Sequence, residues 1–336
     1  MAARSVIFGC RGHGLDPDER AFLRDAEPWG FILFARNIDT PEQVRALTGA
    51  LRDTVGRAAP VLIDQEGGRV ARIRAPHWRE WLPALDEVTQ LVDPGSRARV
   101  MFLRYRLIAE ELRTIGIDVN CAPVLDLVGK GTHAAIRNRC YGAEPAEVAI
   151  IGRAVAEGLM AGGVMPVMKH IPGQGRATLD SHLDLPKVTA PVTDLSAEDF
   201  APFRALADLP MAMTAHVVFA GIDAGTPATL SAEVIGRIRS EIGFDGLLMT
   251  DDLSMKALTG GFGDRATAAL SAGCDMVLHC NADAGEMAAV AGAVPELAGA
   301  AARRAEAALA GRSIAGGGIE FVRAEFEALT RRSTHA

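Results

Sequence analysis

Eight short apolar runs, each ending in a polar or Gly/Pro turn, limit what this chain can become more than any other feature. They lie at 6–9, 31–34, 61–63, 118–123, 165–168, 211–213, 247–249 and 275–278. The runs are rich in Val, Ile, Leu and Met and do not alternate with polar residues. Strands buried on both faces read this way, and such strands belong to parallel sheets. Parallel strands need long crossovers, usually helices. Amphipathic stretches do lie between most of the runs. One opens at Thr40-Pro41-Glu42-Gln43, where Thr can cap, Pro suits the first helical position and Gln can complete a capping box. Others are expected near 96–115, 145–161, 196–207, 231–242, 265–272 and 284–310. Eight such units close into an α/β (β/α)8 TIM-type barrel, and no Pro/Gly/Ser-rich linker divides the 336 residues. The expectation is one catalytic barrel domain over 1–336, with an open doubly wound sheet as its rival.

Two stretches break the alternation. Residues 170–193 show little periodicity but hold His, Asp, Ser-His and Gly-x-Gly. Loops of that length in compact domains are usually lids or binding loops, so an active-site loop is expected there. The Ala/Gly-rich region 284–318 reads as an outer helix followed by a loose connection.

Composition narrows the function classes. A chain with 49% apolar and 23% charged residues is an ordinary globular protein with ample core. A net charge of -7, with arginines scattered among acids, argues against a nucleic-acid partner. The five cysteines lack CxxC spacing, so reduced structural thiols are expected and no metal site. The apolar stretch 148–168 is broken by Arg153 and Glu157, and the N-terminal stretch breaks at Arg11 and His13. Neither a membrane span nor a signal peptide is expected, which points to a cytoplasmic protein. No His/Cys/Glu metal spacing, Walker-type loop or GxSxG elbow is present, and no cofactor is expected.

Barrel active sites gather at the C-terminal ends of the strands. Polar groups stand at five of these ends: Asp64, Asp126, Lys169-His170, His216 and Asp251-Asp252. Each has a plainer explanation. Asp126 and Asp252 suit turn or cap roles, and His216 is as well read as a satisfied core histidine as a sugar contact. A lysine buried at a barrel mouth is costly without a partner or ligand. Carboxylate, imidazole and cation converging on one pocket suit a sugar.

Specific strings carry a family resemblance. They run from Gly30-Phe-Ile-Leu-Phe-Ala-Arg-Asn37 through Asp64-Gln-Glu-Gly-Gly-Arg69, Ala122-Pro-Val-Leu-Asp126, Lys169-His-Ile-Pro-Gly173, Asp180-Ser-His182, Met213-Thr-Ala-His216 and Asp251-Asp-Leu-Ser-Met255 to Ala272-Gly-Cys-Asp-Met-Val-Leu278. In this ordered series the chain resembles the single-domain β-N-acetylglucosaminidases of glycoside hydrolase family 3, the bacterial cell-wall recycling enzymes. The resemblance implies Asp251 as nucleophile, Asp252 as its support, and His182 as acid/base oriented by Asp180. It implies that Asp64, Arg72, Arg139, Lys169 and His170 hold the terminal sugar, to which His216 is added as a further contact. The implied substrate is a terminal β-linked N-acetylglucosamine on a muropeptide-derived 1,6-anhydro-N-acetylmuramic acid. A monomer acting on a small-molecule sugar is expected, without nucleic acid or membrane partners. Family members with glucose or xylose specificity take their acid from a second domain, for which this chain has no room. Departures from the family pattern are Ile171, Gln174 and Cys140-Tyr141.

The implied chemistry is physically coherent. Retaining hydrolysis needs an ionised nucleophile at the anomeric carbon and a donor at the leaving oxygen that later activates water. An imidazole can serve as that donor because it titrates near neutral pH, and a paired aspartate fixes its tautomer. Loop closure on the sugar, with Gly173 and Gly175 flanking a hinge, is a further expectation. Two rivals share the barrel: a phosphorylase or transglycosylase using the same site, and a Schiff-base aldolase or lyase through Lys169.

Overall fold

A computed structural model of the protein describes residues 3–91, 93–181, 184–312 and 317–333. Eight parallel strands pair in chain order and close into a barrel. They are β1 (Arg4–Gly9), β2 (Pro28–Leu33), β3 (Val61–Ile63), β4 (Val119–Asn120), β5 (Met165–Ile171), β6 (Met211–Thr214), β7 (Leu247–Asp252) and β8 (Met276–His279). Each expected run contributes to one of them, and closure removes the doubly wound alternative.

Alternation within the strands sorts two cores, because successive side chains point to opposite faces. Ile7, Leu62, Val167, Met211, Leu247 and Met276 cluster inside the barrel. Their neighbours Phe8, Val61, Met168, Ala212, Leu248 and Val277 pack outward against the helices. This parity carries on past the strand ends for Asp64, Lys169 and Asp251, which enter the barrel mouth.

The outer layer includes α1 (Pro17–Ala26), α2 (Pro41–Val55), α3 (Pro94–Thr114), α4 (Pro145–Ala161), α5 (Ala232–Arg237), α6 (Phe262–Ala272), α7 (Ala284–Ala293), α8 (Gly299–Ala307) and α9 (Ile319–Ser333). Helix α2 shows why these residues are helical. The Thr40 hydroxyl accepts from the Gln43 amide at 3.2 Å, Pro41 opens the helix, and Gly56 closes it at φ 62°. Its buried stripe, Val44, Leu47, Thr48, Leu51 and Val55, follows helical spacing. The Gln43 side chain reaches back one residue further than in a capping box, accepting from Asp39 at 2.9 Å.

Elsewhere the helices differ from the sequence reading. The stretch 284–310 is two helices, since Pro295 cannot continue the first. Ala305 and Ala308, at the end of α8, join the inner cluster and help close one end of the barrel. Helix α9 follows later in the chain and lies on α3. There Phe326 meets Trp81 edge-on at 5.6 Å, and Arg79 stands 4.8 Å from both rings. Helix α1 escaped notice because its run, PDERAFLRDA, buries only Glu19, Leu23 and Ala26.

The loop after β5 is more anchored than its composition implies. Lys187–Val188 pairs in parallel with Val218–Phe219, and helical turns begin at Val192. No described helix is long and apolar enough to cross a membrane.

Candidate active site

The open mouth of the barrel holds a cavity of about 180 Å³. Drug-sized ligands occupy roughly 300–1,000 Å³, so this space fits one sugar unit better than a chain of them. A larger cavity, about 510 Å³, opens at the opposite end beside Pro210, Asp245 and Arg304, and holds none of the expected site residues.

Parity delivers the polar lining. On β3 the inward series Leu62, Asp64, Glu66 continues into the turn; on β5 it is Val167, Lys169; on β7 it is Leu247, Met249, Asp251. Asp64, Lys169 and Asp251 therefore line the cavity together with Arg72, Arg139 and His170. Apolar side chains, Ile32, Phe34, Met213, Met255 and Leu278, are interleaved with these polar ones around the lining. A lining of mixed polar and apolar side chains suits a pyranose, which presents hydroxyls on its rim and C–H bonds on its faces.

Lys169 is 1% exposed, and its ammonium sits 2.8 Å from Asp64 and 2.6 Å from Glu66. Burial alone would pull this amine's pKa down, but the two carboxylates raise it above its ordinary value. A Schiff-base lysine needs the reverse, a depressed pKa that frees the amine. The aldolase reading of Lys169 is thereby disfavoured. The same contacts act on the acids. Burial pushes Asp64 up, and Lys169 with Arg72 more than reverses this, leaving it far below the usual carboxylate range. Arg139 and Lys169 likewise overcome burial at Glu66 and hold it at about 2.

Arg139 grips Glu66 with two parallel bonds of 2.9 Å each, a planar fork that lysine cannot reproduce. Its Nη2 also lies 3.3 Å from His170 Nε2. A guanidinium only donates, so Nε2 accepts and Nδ1 carries the proton, which it donates to Asp126 at 2.7 Å. Arg72 bonds Asp64 at 3.0 Å. Its buried Nε has no partner among the described residues and remains available to a ligand.

Asp251 accepts from the Asp252 amide at 2.8 Å, which orients its carboxylate. The Asp252 side chain turns instead to the Ser254 and Cys280 amides, each at 3.0 Å. It shapes the turn behind Asp251, the structural role that its neighbours in the sequence suggest. Asp126 is structural in the same sense, fixing His170 and the Gln174 amide, the latter at 2.8 Å.

Three expectations are revised. His216 does not line the cavity: it is fully buried, with its nitrogens 2.7 Å from the Thr229 hydroxyl and 2.9 Å from the Asp252 carbonyl. It shares the parity of Thr214, which faces outward and also bonds Thr229. Burial lowers its pKa, keeping the ring uncharged behind Asp251. Gly173 and Gly175 are not placed as hinges. Gly173 is demanded by its φ of 124°, and Gly175 by close packing, since a Cβ there would lie 2.0 Å from the Leu127 carbonyl. The turn is held by Asp126, by Thr132 at 2.6 Å to the Gly175 carbonyl, and by His133 at 3.1 Å to Ala177. Finally, Glu66 is part of the site although the sequence reading passed over it. Its place in the inward series after Asp64 was the available signal.

Asp180 is partly buried, and Ser181, next along the loop, lines the cavity. His182 lies outside the described residues. The departures from the expected strings are accommodated. The Tyr141 hydroxyl accepts from the Val124 amide at 3.2 Å. The Gln174 amide lies 2.9 Å from His170 Nδ1, which it fits with its oxygen toward the ring. Among the described residues no cluster of three or more His, Cys, Asp or Glu side chains could hold a metal ion.

Comparison with known proteins agrees with this geometry. The model of the glycosyl hydrolase family 3 N terminal domain matches residues 14–309. A beta-hexosaminidase of Alkalilimnicola ehrlichii is 41% identical over 288 residues, covering 84% of this chain and 82% of that one. A beta-hexosaminidase of Bordetella avium is 38% identical over 283 residues, covering 82% and 80%. Native NagZ from Neisseria gonorrhoeae is similar in structure, with a TM-score of 0.85 and 32% identity over 98% of this chain and 97% of that one. NagZ from the same organism in complex with N-trifluoroacetyl-D-glucosamine gives 0.85 and 31% over 99% and 98%. Family model, sequence and fold thus match nearly the whole chain, and this glycoside hydrolase belongs to glycosyl hydrolase family 3.

Proposed function

We propose that the protein is a retaining β-N-acetylglucosaminidase that removes a terminal β-linked N-acetylglucosamine through a glycosyl-enzyme on Asp251. The observation that carries this reading is the placement of Asp251 in a one-sugar cavity together with Asp64, Lys169, Arg139 and His170. In the first step the Asp251 carboxylate bonds to the anomeric carbon while the leaving oxygen takes a proton from His182, oriented by Asp180. In the second step water attacks that carbon, His182 takes its proton, and Asp251 leaves with net retention.

The name of the beta-hexosaminidase relatives and the N-acylated amino sugar bound by NagZ support the choice of sugar. We extend the proposal to peptidoglycan-derived N-acetylglucosaminyl-1,6-anhydro-N-acetylmuramic acid fragments, handled by a monomer in the cytoplasm. All five cysteines are unpaired and buried, which suits a reducing compartment.

Turnover of an aryl N-acetyl-β-glucosaminide by the wild type, Asp251→Ala and His182→Ala tests the assignment. Asp251→Ala is expected to lose on the order of 10⁴-fold or more in kcat. His182→Ala is expected to lose roughly 10²- to 10⁴-fold, less with activated leaving groups that need little protonation. Near-normal turnover by either variant rejects that residue's role. Running the reaction in phosphate buffer separates hydrolysis from phosphorolysis, since the sugar-1-phosphate as major product excludes the simple hydrolase.

A further inference from the structure

The rim of the cavity carries a cation that the reaction described above does not use. Arg69 is exposed and lines the cavity, and its guanidinium has no hydrogen bond or ion pair with a described residue. The deeper cations are matched: Arg72 by Asp64, Arg139 by Glu66, and Lys169 by both acids.

The backbone beneath Arg69 is fixed. Gly67 and Val70 form a bridge across a tight turn, and the Val70 carbonyl accepts from Glu66 at 2.9 Å and from Gly67 at 3.1 Å. The Gly68 amide donates to Trp81 at 2.8 Å. Arg74 donates to the carbonyls of Gly68 at 2.8 Å and Arg69 at 3.3 Å. Gly67 and Gly68 have φ of 100° and 57°, and a Cβ on Gly67 would lie 2.0 Å from the Arg104 guanidinium. This turn is therefore imposed by its surroundings, and it presents the Arg69 side chain from a rigid base. The planar guanidinium fork matches the geometry of carboxylates and phosphates.

Depth identifies the part of the ligand that Arg69 meets. Lys169, Glu66 and Arg139, at 1%, 2% and 8% exposure, form the closed end. An exo-acting hydrolase places its terminal sugar at the closed end and sends the leaving group toward the mouth. Arg69 is the exposed member of the cluster, so it stands on the leaving-group side.

We propose that Arg69 is a specificity-determining residue that favours leaving groups carrying a carboxylate or similar anion close to the scissile bond. The inference rests on the hydrolase reading above. Its test uses two synthetic substrates, the 3-carboxyphenyl N-acetyl-β-glucosaminide and the uncharged carboxamide of the same aglycone. The readout is the ratio of their kcat/KM values in wild type, Arg69→Gln and Arg69→Lys, so that a general loss in a variant cancels.

Relative to Arg69→Gln, the wild-type ratio is expected to be roughly tenfold in favour of the carboxylate at low salt, with Arg69→Lys between the two. Added salt should shrink the difference. A ratio equal in wild type and Arg69→Gln overturns the proposal, as does a fall in both substrates with the ratio held. Hydrolysis of the carboxamide alone keeps the hydrolase reading intact while Arg69 loses its role. Hydrolysis of neither substrate by wild type removes both.

Discussion

At the scale of single residues, Glu66 shows how charge holds this site together. Its carboxylate carries Arg139 and Lys169, while its carbonyl accepts from Arg104 at 2.7 Å. Removing one partner of a buried ion pair leaves the other charge uncompensated, which typically costs about 3–5 kcal/mol. Glu66→Gln is expected to lower the melting temperature and also to raise KM, because the two cations that it positions line the cavity. Unchanged KM with a lowered melting temperature would limit Glu66 to a structural role. Asp64, Lys169 and Asp251 were legible in advance because each stands at a strand end, and strand parity, visible in the structure, explains why they face inward. The same rule, applied to His216, would have turned it away from the cavity. Arg72 and Arg139 came only with the family resemblance, because they sit in irregular loops where no periodicity exists.

Among the elements, those with local signals were legible and those defined by tertiary contact were not. Helix α2 announced itself through Thr40 and Pro41, and α4 spans the expected residues 145–161. Thr40→Ala is expected to cost about 1 kcal/mol of stability, measured by denaturant titration. The turn carrying Gly173 and Gly175 behaves differently, because its shape depends on Leu127, Thr132 and Asp126 from another loop. Gly175→Ala would force a Cβ into the Leu127 carbonyl, displacing Gln174 and with it His170. The expected result is a higher KM for the aryl glycoside, and wild-type kinetics in that variant would show that the turn can yield. Helix α9 could not be anticipated because its contacts with Trp81 and Arg79 bring together distant parts of the chain.

At the scale of the whole molecule, charge burial sets the dependence of stability on pH. Glu66 at about 2 lies below the ordinary glutamate value of about 4.3, so its contribution is complete above that value. It is lost as pH falls from about 4 toward about 2. Asp64 acts in the same direction. His216 is lowered by burial, so the unfolded chain takes up its proton first and stability declines as pH drops below about 6.5. Lys169 is raised, and its contribution persists below about 10.4 and is lost only as pH rises through its higher folded value. The melting temperature is therefore expected to fall on the acid side of neutrality, in two stages separated by the His216 and carboxylate ranges. A melting temperature that rises between pH 7 and pH 4 would contradict this arrangement of buried charge.

The barrel as a whole brings Asp251 and the residues proposed to hold the sugar to one mouth, and the covalent role of Asp251 is the central claim. A 5-fluoro-N-acetyl-β-glucosaminyl fluoride should trap the glycosyl-enzyme, because its fluorine slows both steps while the good leaving group favours the first. Mass spectrometry of the digested protein is predicted to find one added sugar, on the peptide containing Asp251. An added sugar on another residue, or steady turnover of the reagent by Asp251→Ala, would contradict it.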